Sequence, residues 1–211
     1  MKAIIMTRSA MYGANCVAAI DMETGCFKRF VKRVGDTIFQ LSDMELYCKS
    51  KSLSCDPLDL VEVDVVEPCP SAHQTENMII DTTKGFKRIC ELPIEEVLRI
   101  HMPENEREYI LGSKNRALSM EEARQIGHSL ELMEVNALVV ARSSGSLKAD
   151  FVYKGSRHTG FSVTDKKYYN LQEGQEKTIG KAVVVFSLAE KPKEWQGIST
   201  YMKFLAAIFP L

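Results

Sequence analysis

The chain has 211 residues, 45% hydrophobic and 26% charged, an ordinary globular mix that supports a packed core in one large domain or two small ones. Its formal net charge is −1, so no whole-molecule basic field gathers phosphates, and nucleic-acid binding would need a local patch. No stretch approaches the ~18 apolar residues of a membrane span, and the short run after Lys2 is no signal peptide, so the expected location is the cytoplasm, away from membranes.

The first third reads as β structure. Lys2 to Thr7 is an apolar run of strand length, and Tyr12-Gly13-Ala14-Asn15 breaks it. Cys16 to Asp21 and Cys26 to Lys32 are predicted as a hairpin around Glu23-Thr24-Gly25, where the glycine can take positive φ. Residues 35 to 57 are interrupted by Gly35, Ser42, Ser50, Ser52, Ser54 and Pro57, and no element is predicted there. Leu60 to Val65 alternates cleanly, with Val61, Val63 and Val65 on one face and Glu62 and Asp64 on the other. Asn77 to Asp81 is a shorter strand.

The middle changes period. Pro93 opens a helix carrying Ile94, Val97, Leu98 and His101, and Pro103 stops it. A second helix starts at Ser119 with Glu122 completing a capping box, and its apolar side is Met120, Ala123, Ile126 and Leu130. Strands return at Ala137–Ala141, Lys148 to Tyr153, Gly160 to Thr164, Lys181 to Leu188 and Thr200 to Phe209, and Val183 to Phe186 looks buried on both faces. The expectation is a mainly β protein: a first domain over 1–85, a helical connecting segment over 86–131, and a second domain over 132–211. Short strands at this spacing suit small closed barrels.

Six cysteines (Cys16, Cys26, Cys48, Cys55, Cys69, Cys90) contain no C-x-x-C pair, which fits structural thiols in a reduced compartment and disfavours zinc. No metal and no cofactor are expected.

Several stretches together are similar to one family. They are Thr7 to Ile20 followed by Thr24 to Arg29, the loop Pro68 to Asn77, the Lys148 to Asp165 segment with Phe151, Tyr153 and Gly155, and the closing Phe186-Ser187-Leu188 and Tyr201 to Ile208. The chain resembles the prokaryotic dual-OB-containing domain proteins over nearly its whole length. Ala14, Ala19 and Phe27 depart from that pattern, where glycine, glycine and tryptophan are usual. The resemblance implies two OB-like barrels and, by analogy with other OB folds, nucleic-acid binding. With the short helical segment read between them, the partner expected is single-stranded DNA or RNA.

Four groups of residues carry candidate chemistry. Lys28-Arg29-Phe30-Val31-Lys32-Arg33 puts four cations and a ring on one strand, the combination that holds phosphates and stacks bases; alternatively the apolar residues face inward and the charges solvate an edge. Phe151 and Tyr153 share a strand face beside Lys154, Arg157 and His158, as a stacking groove or as core. The loop holding Cys69, His73, Gln74, Glu76 and Asn77 offers amides to read base edges, or His73 and Glu76 as base and acid or as metal ligands with Cys69, or groups that simply tie the loop. Around Arg8 and Asn15 a polar glycine-containing loop could face an anion, yet the Walker lysine and G-x-G-x-x-G are absent. The leading expectation is a binding module for single-stranded nucleic acid or a nucleotide-bearing ligand. The alternatives are an enzyme built around His73, Glu76 and Asp165, or a protein-interaction component.

Overall fold

Period-two alternation dictates strands that bury one face, and a barrel lets such strands bury it without leaving open edges. The computed structural model describes residues 1–11, 13–48, 53–195 and 197–211, without the side chains of Met11 and Trp195. Tyr12, in the break read after the first strand, and Ser50 and Ser52 lie outside the described residues. The chain divides into two units, one of Met1–Ser71 with Thr75–Met102 and one of Ala72–Gln74 with Pro103–Leu211.

In the first unit β1 (Lys2–Met11), β2 (Ala14–Asp21) and β3 (Phe27–Val34) form an antiparallel meander. The short strands β4 (Thr37–Phe39), β5 (Tyr47–Cys48) and β6 (Leu53–Ser54) occupy the stretch for which the sequence predicted nothing. Two- and three-residue strands are too short to show a period. β7 (Asp59–Glu62), β8 (Val65–Pro68), β9 (Asn77–Ile80), β10 (Lys87–Glu91) and helix α1 (Ile94–Ile100) follow.

The alternating Leu60–Val65 segment changes partner midway. β7 pairs with β1, whereas β8 pairs with β9, which itself runs parallel to β3. Between them the Val63 amide donates to Met1 O at 3.0 Å, and Asp64 O accepts from the Asp81 amide at 2.9 Å. Residues 59–68 therefore act as one bent strand that closes the ring. Ile5, Val17, Ala19, Phe30, Val61 and Phe86 are among its core. Gly25 takes φ +67° in the β2–β3 turn, and a Cβ there would come 3.1 Å from Ile100 O, so α1 ends directly against this turn.

The second unit contains a 3₁₀ turn (Ile110–Gly112), β11 (Ala117–Ser119) and helix α2 (Met120–Ile126). The predicted capping box is present: Ser119 Oγ accepts the Glu122 amide at 3.1 Å, and Glu122 Oε2 accepts the Ser119 amide at 2.7 Å. Of the apolar side assigned to this helix, Ala123 is buried but Met120 is exposed, because the first turn points past the core. The remaining elements are β12 (Leu130–Ser143), β13 (Ser146–Tyr153), β14 (Ser156–Val163), a 3₁₀ turn (Lys166–Tyr168), β15 (Glu176–Leu188), β16 (Lys193–Trp195) and β17 (Ile198–Pro210).

β12, β13 and β14 form a meander, β17 runs parallel to β14, and β15 bridges β17 and β12. Val183 to Phe186 are fully buried, as the unbroken apolar run predicted. Both units thus have one strand order: a meander of three, the third parallel to the fifth, and the fourth between fifth and first. That is the five-stranded Greek-key ring of an OB fold, and the protein is mainly β. Among the described residues no helix is long and apolar enough to cross a membrane.

Candidate functional site

Several cations of the first barrel face carboxylates of the same unit. Arg29 is 1% exposed, with Nη2 3.7 Å from Glu76 Oε1, and its amide donates to Glu76 O at 2.9 Å. Because β9 lies parallel to β3, Arg29 stands opposite Asn77. The cationic strand and the Gln74–Asn77 loop, read separately in the sequence, therefore meet at Arg29, Glu76 and Asn77.

Phe30 is buried against Phe86 with ring centroids 5.9 Å apart, so it is a core residue and no platform for a base. Lys32 binds Glu45 at 2.7 Å, Arg33 pairs with Glu67, and Lys28 is half-buried. Arg8 and Asn15 are joined through Asp43: Arg8 Nη2 is 2.8 Å and Asn15 Nδ2 3.0 Å from its Oδ1, and Asp56 takes Arg8 Nη1 at 2.7 Å. Asp43, Asp56, Glu45, Glu67 and Glu76 thus stand against Arg8, Lys32, Arg33 and Arg29.

His73 Nε2 lies 2.9 Å from Ala189 O and its ring centroid 4.2 Å from that of Tyr201, while Gln74 is buried beside it in the chain. His73 thus belongs to the second unit, and Glu76 lies with Arg29 in the first. Asp165 caps the 3₁₀ turn at Lys167 and accepts the Ile208 amide at 2.9 Å. It holds backbone in place.

In the second barrel Phe151 and Tyr153 do share a face, and that face is the core. Phe151 stacks on His158 at 5.1 Å and contacts Phe161 and Phe186, and the Tyr153 hydroxyl donates to Arg107 O at 2.6 Å. Neither ring is available for stacking. Lys154 Nζ donates to Glu106 O at 3.1 Å, and Arg157 pairs with Asp150 at 3.4 Å.

The alternation that buries Phe151 and Tyr153 turns Lys148, Asp150 and Val152 outward. Above them lies a cleft of about 630 Å³ with Val139, Ala141 and Val152 as apolar lining and Lys148, Asp150, Arg157 and Glu176 as polar lining. Lys148 Nζ donates to Ser162 Oγ at 2.9 Å, and Arg116 Nη1 donates to Gly160 O at 3.0 Å. Burial, with the Arg116 charge, lowers the Lys148 pKa. Lys148 and Arg116 were not singled out in the sequence; the signal was there, since Lys148 sits one step out of phase with the aromatic pair.

A partly buried ionic group lies elsewhere in this unit. Glu104, His128 and Glu131 place ligand atoms within 4.8 Å of one another, a spacing that could hold a metal ion. Arg107 already occupies it: its Nε pairs with Glu104 and lies 3.3 Å from Glu131 Oε1. Lys203, 1% exposed, donates to Ile110 O at 2.5 Å and Ser113 O at 2.7 Å, and burial pushes its pKa down to about 8.

The chain belongs to the dual OB-containing domain family, whose family model matches residues 1–208. Among solved structures it is similar to one described as "Structure of murine DNA binding protein bound with ds DNA". That likeness spans 100% of this chain and 98% of the murine one, at 7% identity and a TM-score of 0.33. A comparison with curated proteins finds no match.

Proposed function

We propose that this dual OB-domain protein is a binding module that holds a short stretch of single-stranded nucleic acid, or a nucleotide-bearing ligand, on the second barrel. The observation that carries the reading is the cleft over β12 and β13. OB barrels present ligands to the faces of their second and third strands, here β13 and β14, and the cleft takes Lys148, Asp150 and Val152 from β13 and Arg157 from β14. Val139, Ala141 and Val152 offer apolar surface to base faces, while Lys148 and Arg157 reach toward a backbone. Of the residues expected from sequence, Arg157 and the buried Phe151 line this cleft. Glu176 also lines it, which directs a polyanion toward the Lys148 side.

The test is a fluorescence-anisotropy titration of the full chain with short DNA and RNA oligonucleotides at low and moderate salt. Binding that weakens as salt rises supports the reading. No binding at tens of micromolar protein in low salt overturns it, because the phosphate contribution is largest there.

A further inference from the structure

Three half-buried cations of the first barrel are met by carboxylates. Arg8, Lys32 and Arg88 each have a carboxylate oxygen within 2.6 to 2.8 Å. Lys148 is different. Its hydrogen-bond partner is a neutral hydroxyl, Ser162 Oγ, directly across the β13–β14 ladder. The nearest acid along its strand face, Asp150, is engaged: Oδ1 accepts the Gly160 amide at 2.9 Å and Oδ2 faces Arg157 at 3.4 Å.

A second cation is brought alongside. Arg116 is anchored on Gly160 O, two residues from Ser162. Gly160 takes φ +69°, and a Cβ there would stand 2.7 Å from Arg116 Nη1, so the missing side chain leaves the space this guanidinium occupies. Two like charges near each other, partly withdrawn from water, repel; an anion between them turns that repulsion into attraction. Ser162 Oγ accepts from Lys148 and so keeps its own hydrogen to donate. An ammonium, a guanidinium and a hydroxyl together suit a tetrahedral oxyanion.

We propose, building on the function just given, that Lys148, Arg116 and Ser162 form a subsite for one phosphate group of the bound ligand. It fixes where the backbone enters the cleft and leaves the bases to lie toward Val139 and Val152.

Two measurements test this. In the anisotropy titration with a short oligothymidylate, Lys148→Gln and Arg116→Gln each weaken binding about tenfold and reduce the salt slope by about 1, as loss of one phosphate contact requires. Arg33→Gln, on the first barrel, changes neither. Separately, inorganic phosphate is titrated into the ¹⁵N-labelled full chain to on the order of 10 mM, where even a millimolar site fills. The amide resonances of Lys148, Gly160 and Ser162 shift in the wild type and stay in place in Lys148→Gln. Adenosine monophosphate in a parallel titration distinguishes a nucleotide phosphate, which also moves Val139 and Val152, from a free anion, which does not.

If oligonucleotide fails to bind while phosphate moves those three amides, the subsite stands and the polymer reading falls. If oligonucleotide binds the wild type and Lys148→Gln with equal affinity and equal salt slope, the subsite falls alone. Amides unmoved by phosphate overturn it outright.

Discussion

Glu131 Oε1 lies 2.9 Å from His128 Nε2, although Glu131 is wholly withdrawn from solvent. Donating to the Glu131 carboxylate raises the His128 pKa above its ordinary 6.5, with burial and the Arg107 charge opposing it. A raised folded value means the folded chain binds the proton more tightly than the unfolded one. This contribution to stability is fully present below about pH 6.5 and is lost as pH rises through the raised value. Thermal midpoints should therefore decline from about pH 6 to 8 more steeply in wild type than in His128→Gln. Parallel curves would show that the pair contributes nothing.

Lys203 acts in a different window and with the opposite sign. Its pKa of about 8 lies below the ordinary lysine value of 10.5, so above pH 8 the folded chain releases a proton that the unfolded chain keeps. Its contribution therefore makes stability rise with pH across that interval. Lys203→Met should remove this rise. It should also cost about 2 kcal/mol near neutrality, because Ile110 O and Ser113 O lose their buried donor. Urea denaturation at about pH 7 and 9.5 reads both effects.

Arg29→Met should destabilise the first barrel by about 3–5 kcal/mol, since Glu76, itself nearly buried, loses its cation. Adding Glu76→Gln should recover part of the loss. A single variant as stable as wild type would show the pair to be energetically idle.

Ser119→Ala removes the acceptor for the Glu122 amide at the start of α2, and should cost about 1 kcal/mol by denaturant midpoint. Ser119→Asp should restore most of it.

The strand pattern was legible because Val61, Val63, Phe151 and Tyr153 repeat at a period of two, and α2 was legible because Ser119 and Glu122 form a capping box. The direction of each face was less legible. Alternation states that Phe151 and Tyr153 lie together but not whether they look inward, and the cleft followed Lys148 and Val152 instead. At Arg29 the pattern misled for another reason: the nearly buried Glu76 that neutralises it arrives from 47 positions along the chain. Long-range ion pairs leave no local signature. The partner switch between β7 and β8 was likewise hidden, since Val61 and Val63 are buried regardless of which neighbour takes the hydrogen bonds.

β17 completes the second ring by lying between β14 and β15, and its earlier residues also bind β11 and β16. During synthesis, every other strand of that ring leaves the ribosome first. Until residues 204–210 emerge, β14 and β15 both show unsatisfied edges to the cell. The first barrel, whose strands end at Glu91, can close well before then. A nascent chain stalled near residue 200 should thus be protease-resistant in its first half and a chaperone client in its second.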